Sequence, residues 1–155
     1  MMGRCGRRWK TQSGWRYPCS NMMSRPNRSC PMLLRRAKQA QLYFDSSPGQ
    51  SEHLMNPAEL LFSAFAACLL KNVERFAERL HFSYQRAAIH VHGVREEPPP
   101  RLTRIVYELT LWTDEPEERI HRLDRNVRNY GTIFNTLANS CEVTGEIKVI
   151  SSLSN

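Results

Sequence analysis

The stretch from Asn56 to Leu70, Asn-Pro-Ala-Glu-Leu-Leu-Phe-Ser-Ala-Phe-Ala-Ala-Cys-Leu-Leu, constrains the fold of this chain more than any other. Asn56 suits a helix N-cap, Pro57 suits the first helical position, and Glu59 sits where the helix dipole favours an acid. From Leu60 to Leu70, every residue except Ser63 is apolar. A helix that is apolar all round is expected to be buried all round. The segment is too short to span a bilayer, which takes about 20 residues, so no membrane association is expected. Cys68 sits within it. Two readings of Cys68 stand at this point: a small core filler, inert in apolar surroundings, or a thiol held for chemistry.

After Leu70 the pattern turns amphipathic. Val73, Phe76, Ala77 and Leu80 repeat at helical spacing, while Lys71, Glu74, Arg75, Glu78 and Arg79 are set for water. One helix is therefore predicted from Pro57 to about Leu80.

Charge divides the chain. Residues 1–44 hold ten Lys or Arg and no acid, whereas residues 45–155 hold twelve Lys or Arg against fifteen acids. The net charge of +7 thus belongs to the N-terminal stretch, and the remainder is mildly acidic. Nucleic acid is not an expected partner, because phosphate-neutralising charge is missing from the part that folds. Residues 1–37 read as a poorly ordered basic tail, and residues 38–155 as one domain. Within the tail, Trp9, Trp15 and Tyr17 interleave with basic residues. The acid-free composition also fits a targeting segment, although no amphipathic stripe accompanies it.

The five cysteines, Cys5, Cys19, Cys30, Cys68 and Cys141, show no CxxC or zinc spacing. Free thiols in a reducing, cytoplasmic setting are expected. His90 and His92 share one face of a predicted strand, but no third ligand is spaced to join them, so neither a metal nor a cofactor is expected. The acid pairs Glu96-Glu97 and Glu117-Glu118 read as solvated charge.

The remaining elements follow from periodicity. Gln39 to Asp45 reads as a strand and Ser46 to Gln50 as a turn. Arg86 to Val94, with Ala87, Ile89 and Val91 inward, and Leu102 to Trp112 read as a hairpin around the proline-rich Glu96–Pro100. Thr113 to Pro116 is expected to cap a second helix, from Pro116 to Ala138, with a stripe of Ile120, Leu123, Val127, Tyr130, Phe134 and Leu137. Gly131 interrupts it at a cost of about 1 kcal/mol relative to Ala, which suggests a kink or a close approach. Gly145 to Ile150 reads as a last strand. The sum is an α+β domain with a small antiparallel sheet.

The run Asn56-Pro-Ala-Glu-Leu-Leu-Phe-Ser-Ala-Phe-Ala-Ala-Cys68-Leu resembles the central helix of the OsmC/Ohr family of osmotically inducible and organic hydroperoxide resistance proteins. The resemblance extends through Asn129-Tyr-Gly-Thr-Ile-Phe-Asn-Thr-Leu137 and covers roughly residues 38–150. It implies small antiparallel sheets packed on a long buried helix and a second helix, in an intertwined homodimer whose long helices pack together. It also implies thiol-dependent reduction of organic hydroperoxides. Cys68 would attack the peroxide, a second cysteine would form a disulfide, and an external dithiol would restore both. Cys141 is the candidate for the resolving role and Glu59 for the acid. Three departures accompany the resemblance. Ala58 stands where the family keeps its glutamate, no cysteine lies in Asn129–Ile133, and no arginine lies between Leu42 and Pro57. The alternative reading is therefore a non-catalytic homodimer that binds an apolar small molecule at its interface.

Overall fold

The structure is a computed structural model that describes residues 32–37, 40–46 and 52–151. The basic stretch through residue 31, with its tryptophans, and most of the predicted Ser46–Gln50 turn lie outside the described residues. The chain forms two compact units, Met1–Asn56 and Pro57–Asn155.

In the first unit, strand β1 (Met32–Ala37) pairs antiparallel with strand β2 (Ala40–Asp45), with Met32 opposite Asp45 and Ala37 opposite Ala40. Strand β2 answers the strand read at Gln39–Asp45. Strand β1 falls within the stretch read as a tail, ahead of residue 38. Arg35 and Arg36 break its apolar run (Met-Leu-Leu-Arg-Arg-Ala), and a strand of that composition shows no alternation. The Asp45 amide donates to the Met55 carbonyl at 3.0 Å.

The second unit opens with helix α1 (Pro57–Leu80), over the span its sequence predicts. A hairpin follows: strand β3 (Arg86–Glu96) pairs antiparallel with strand β4 (Arg101–Trp112). Ala87, Ile89 and Val91 turn onto the core, as their alternation predicts. The predicted second helix is two helices, α2 (Glu117–Asn129) and α3 (Thr132–Ala138), divided at Tyr130-Gly131. The predicted cap does not form, because α2 starts at Pro116 without a side-chain cap bond. Thr113 serves the preceding loop instead. Its hydroxyl donates to the Ser83 carbonyl at 2.6 Å and accepts from the Glu115 amide at 3.1 Å.

Strand β5 (Glu142–Ile150) starts earlier than the predicted Gly145 and lies parallel to β4, giving the order β3-β4-β5. The expected all-antiparallel sheet is thus corrected to a mixed one. The connection permits it: parallel neighbours need a long crossover, and α2 and α3 between β4 and β5 supply one.

The core lies between the sheet and the helices. Phe65, Leu69, Val73 and Phe76 of α1 meet Ile105, Tyr107, Leu109 and Leu111 of β4, with Ile120, Leu123 and Val127 of α2. Burying each such side chain contributes about 1.5–3 kcal/mol. Ile133, Phe134 and Leu137 of α3 pack on this cluster half-buried. Tyr130 departs from its predicted place in the stripe. It sits in the break between α2 and α3, 60% exposed, with its ring 5.2 Å from that of Phe76.

Candidate functional site

Cys68 lies on α1 between a buried face and an open one. The buried face is Phe65, Leu69, Asn72, Val73 and Phe76, while Ser63, Ala64, Ala67 and Lys71 are exposed. At about 100° per residue, Cys68 falls about 40° from Asn72 on one side and about 40° from Ala64 on the other. Its thiol is free and half-buried. Among the described residues of one chain, the side of α1 that carries Ala64 and Ala67 is thus exposed.

Glu59 is exposed in the first turn of the same helix. Helix α1 runs without interruption from Pro57 to Leu80. Nine residues separate Glu59 from Cys68, about 13–14 Å along the axis and about half a turn around it. One chain does not bring these two side chains together.

Cys141 follows α3 and leads into β5. Its thiol is also free and half-buried. It packs on the core cluster and donates to the Leu137 carbonyl at 3.4 Å. Burial pushes its pKa above the ordinary thiol value. No disulfide joins it to Cys68.

Three further residues position these elements, and two of them, Asn72 and Tyr107, lack a clear sequence signal. Asn72 is buried on the core face of α1, and its amide nitrogen donates to the Val127 carbonyl near the end of α2 at 3.3 Å. This bond satisfies a carbonyl in the last turn of α2, one of those that a helix end leaves without a partner. Gly131 lies against it: a Cβ there would stand 3.4 Å from that nitrogen and 2.8 Å from the Phe134 Cβ. The sequence does signal Gly131, and both a break in the helix and a close approach are found. Tyr107 is the third. Its ring lies across Gly145 of β5, where an added Cβ would fall 2.3 Å from a ring carbon. The guanidinium of Arg128 sits 5.7 Å from the ring centroid, donates to the Gly145 carbonyl at 2.9 Å, and bonds Asp124 at 2.8 Å. The Tyr107 hydroxyl is buried and has no partner among the described residues. Burial pushes its pKa up to about 12.

On the outer face of the sheet, His90 and His92 border a shallow hollow with Val106, Glu108, Thr144 and Glu146. The register sets His90 opposite Glu108 and Glu108 beside Glu146, and Glu108 is ion-paired with Lys148. Among the described residues, no three His, Cys, Asp or Glu side chains are placed to hold a metal ion. Among the same residues, no helix is long and apolar enough to cross a membrane.

A family model described as OsmC-like protein matches residues 49–146. A search of curated protein sequences gave no match. Among solved structures, the chain is similar to an OsmC-like protein of Mycoplasma pneumoniae, at 18% identity and a TM-score of 0.74, covering 84% of this chain and 96% of that one. It is also similar to an organic hydroperoxide resistance protein OsmC of Legionella pneumophila, at 13% identity and a TM-score of 0.67, covering 87% and 100%. A third likeness is to an organic hydroperoxide resistance protein of Bacillus subtilis, at 16% identity and a TM-score of 0.62, covering 83% and 97%. At such identities the structural likeness concerns the fold. The family match, by contrast, runs over most of the chain and takes in all of α1 with Cys68, and the chain belongs to the OsmC-like protein family.

Proposed function

We propose that this protein reduces organic hydroperoxides through Cys68. The observation that carries the reading is a free, half-buried thiol at the border of an open apolar helix face, inside the segment that matches the family. In the first step, the Cys68 thiolate attacks one peroxide oxygen. A sulfur–oxygen bond forms and the oxygen–oxygen bond breaks. The departing alkoxide takes a proton and leaves as an alcohol, and sulfur holds the other oxygen as a sulfenic acid. An external dithiol then returns Cys68 to the thiol, releasing water and becoming a disulfide itself. This cycle needs a compartment that keeps thiols reduced, for which the cytoplasm is the natural setting.

The uncovered side of α1, with Ala64 and Ala67, is the contact through which two copies associate as a homodimer. The apolar surroundings this creates favour an organic substrate. Cys141 is the resolving candidate within the chain. Forming a disulfide with Cys68 requires their Cα atoms to come within about 7 Å and frees Cys141 from its Leu137 carbonyl. Direct attack of the external dithiol on the sulfenic acid avoids both requirements. A role for Glu59 as acid falls to a second copy of the chain, because in its own chain it faces away from Cys68.

The test is consumption of cumene hydroperoxide in the presence of a dithiol. The native protein is expected to turn over and Cys68→Ser is not; equal rates contradict the reading. One residue favours the alternative, a non-catalytic homodimer that holds an apolar small molecule at its interface: Ala58 occupies the place of the family's acid. That alternative predicts an apolar ligand in native mass spectra of the purified protein.

A further inference from the structure

We infer that Asn72 is a positioning residue for the Cys68 site: it maintains the break between α2 and α3, and α3, set by that break, limits the bulk of the group that reaches the thiol. This inference rests on the reading of Cys68 as the reacting thiol and adds a determinant of substrate size to it.

In an uninterrupted helix, each amide bonds the carbonyl four residues back. The Tyr130 amide does so, reaching the Asn126 carbonyl at 3.1 Å. The Gly131 amide does not. It donates to the Arg128 carbonyl, three residues back, at 3.3 Å. The Val127 carbonyl, which it would bond in a continuous helix, accepts instead from the Asn72 amide nitrogen at 3.3 Å. Asn72 thus occupies the acceptor that would join α2 to α3. Asn72 and Val127 are both buried, where a carbonyl left without a partner is costly. With the Asn72 donor removed, the Val127 carbonyl regains a partner by taking back the Gly131 amide, which straightens the break and swings α3 away.

The residues that meet this segment are the neighbours of Cys68. Phe65 lies about 60° around α1 from Cys68 and Asn72 about 40°, both toward the buried side. The Phe65 ring stacks on that of Phe134 at a centroid distance of 6.0 Å, and Asn72 bonds Val127 just before the break. Phe134 also meets the Tyr107 ring edge-on at 6.3 Å. Helix α3 has no charged side chain. Its side-chain hydrogen bonds stay local, from Asn135 to the Asn129 carbonyl at 3.0 Å and from Thr136 to the Thr132 carbonyl at 2.8 Å. Its place therefore depends on the ring contacts and on the break that Asn72 maintains. Ile133, Phe134 and Leu137 stay half-buried, which gives the inner side of the Cys68 site an apolar, uncharged wall.

The experiment labels Cys68 in the full-length protein with a small reagent, iodoacetamide, and a bulky one, pyrene maleimide, at neutral pH, with rates read by peptide mass. Both reagents take the thiolate, so the ratio of the two rates reports the room around the thiol and cancels any change in its ionisation. Asn72→Leu keeps a branched side chain of similar shape and removes the donor. Gly131→Ala places a Cβ 2.8 Å from that of Phe134 and displaces α3 directly. Leu111→Ala, in the core and four residues along β4 from Tyr107, is the control for lost stability alone. In Asn72→Leu and Gly131→Ala, the bulky-to-small ratio should rise about tenfold, the scale on which a hydrophobic pocket separates groups of different size. In Leu111→Ala it should stay native. The preference for tert-butyl over cumene hydroperoxide in kcat/KM should fall in the same two variants. An unchanged ratio in Asn72→Leu overturns the inference, as does an equal rise in Leu111→Ala. A raised ratio without hydroperoxide consumption by any of the proteins, native included, supports the wall while contradicting peroxide reduction.

Discussion

Helix α1 has two faces of similar apolarity and different fates. Phe65, Leu69 and Val73 are fully buried within their own chain, while Ala64 and Ala67, on the other side, stay exposed. The first face is filled by large side chains set against β4 and α2. The second carries small Ala64 and Ala67 with half-buried Leu60 between them, Cys68 at its border and Lys71 further along. Hydrophobicity alone does not separate them; the buried face is the one with Phe65, Leu69 and Phe76. A face of large residues makes the chain's own core, and a face of small ones lets another backbone come close.

Substitutions sharpen this contrast, beginning with the largest effect. Leu69→Ala, on the buried face, should destabilise the fold by about 2–5 kcal/mol, because the cavity it leaves cannot collapse. The urea midpoint measures this. A loss as small as that of a surface substitution would mean that the face is not close-packed. Gly145→Ala tests the same core from the sheet side. Its Cβ would enter the Tyr107 ring, and displacing that ring should cost about 1–3 kcal/mol.

Tyr107→Phe removes a buried hydroxyl that has no partner among the described residues and should leave stability at pH 7 unchanged or raised by about 1 kcal/mol. Its signature is in alkali. Because the folded-state pKa is raised to about 12 from 10, the folded protein holds Tyr107 neutral. The stability this contributes is present below about pH 10 and is lost as pH rises from about 10 to 12. In a comparison of unfolding at pH 8 and pH 11, the native protein should lose more stability than Tyr107→Phe. Equal losses would place the phenol in water.

Ala67→Glu, on the open face, should change the stability of the single chain by less than about 0.5 kcal/mol while preventing association of two copies. Sedimentation at matched concentrations reads this as a halved mass. A dimer that survives the substitution would assign the contact to another surface.

The two faces also differed in what their sequence disclosed. The bounds of α1 were legible from Asn56, Pro57 and the apolar spacing through Leu80, and the inward residues of β3 followed from alternation. Periodicity did not separate the open face, since only Ser63 is polar in the run; a second, partner-covered face followed only from the family resemblance. Cys68 was singled out by its neighbours Ala66-Ala67 and its distance from Asn56-Pro57, a pattern of sequence rather than of periodicity. Strand β1 was hidden by Arg35 and Arg36. The parallel direction of β5 was not legible, because a helical connection allows parallel pairing without requiring it and spacing within β5 carries no such information. Asn72 was invisible because a polar residue beside Val73 reads as surface until the α2 carbonyl it bonds is in view.

Oxidation of Cys68 itself is the most direct test of the central claim. The full-length protein, reduced and then given one equivalent of cumene hydroperoxide with a sulfenic-acid trap such as dimedone, is digested and its peptides are weighed. The account predicts the adduct on the peptide carrying Cys68, with Cys141 unmodified by the trap. An unmodified Cys68 thiol after exposure to the peroxide would contradict it.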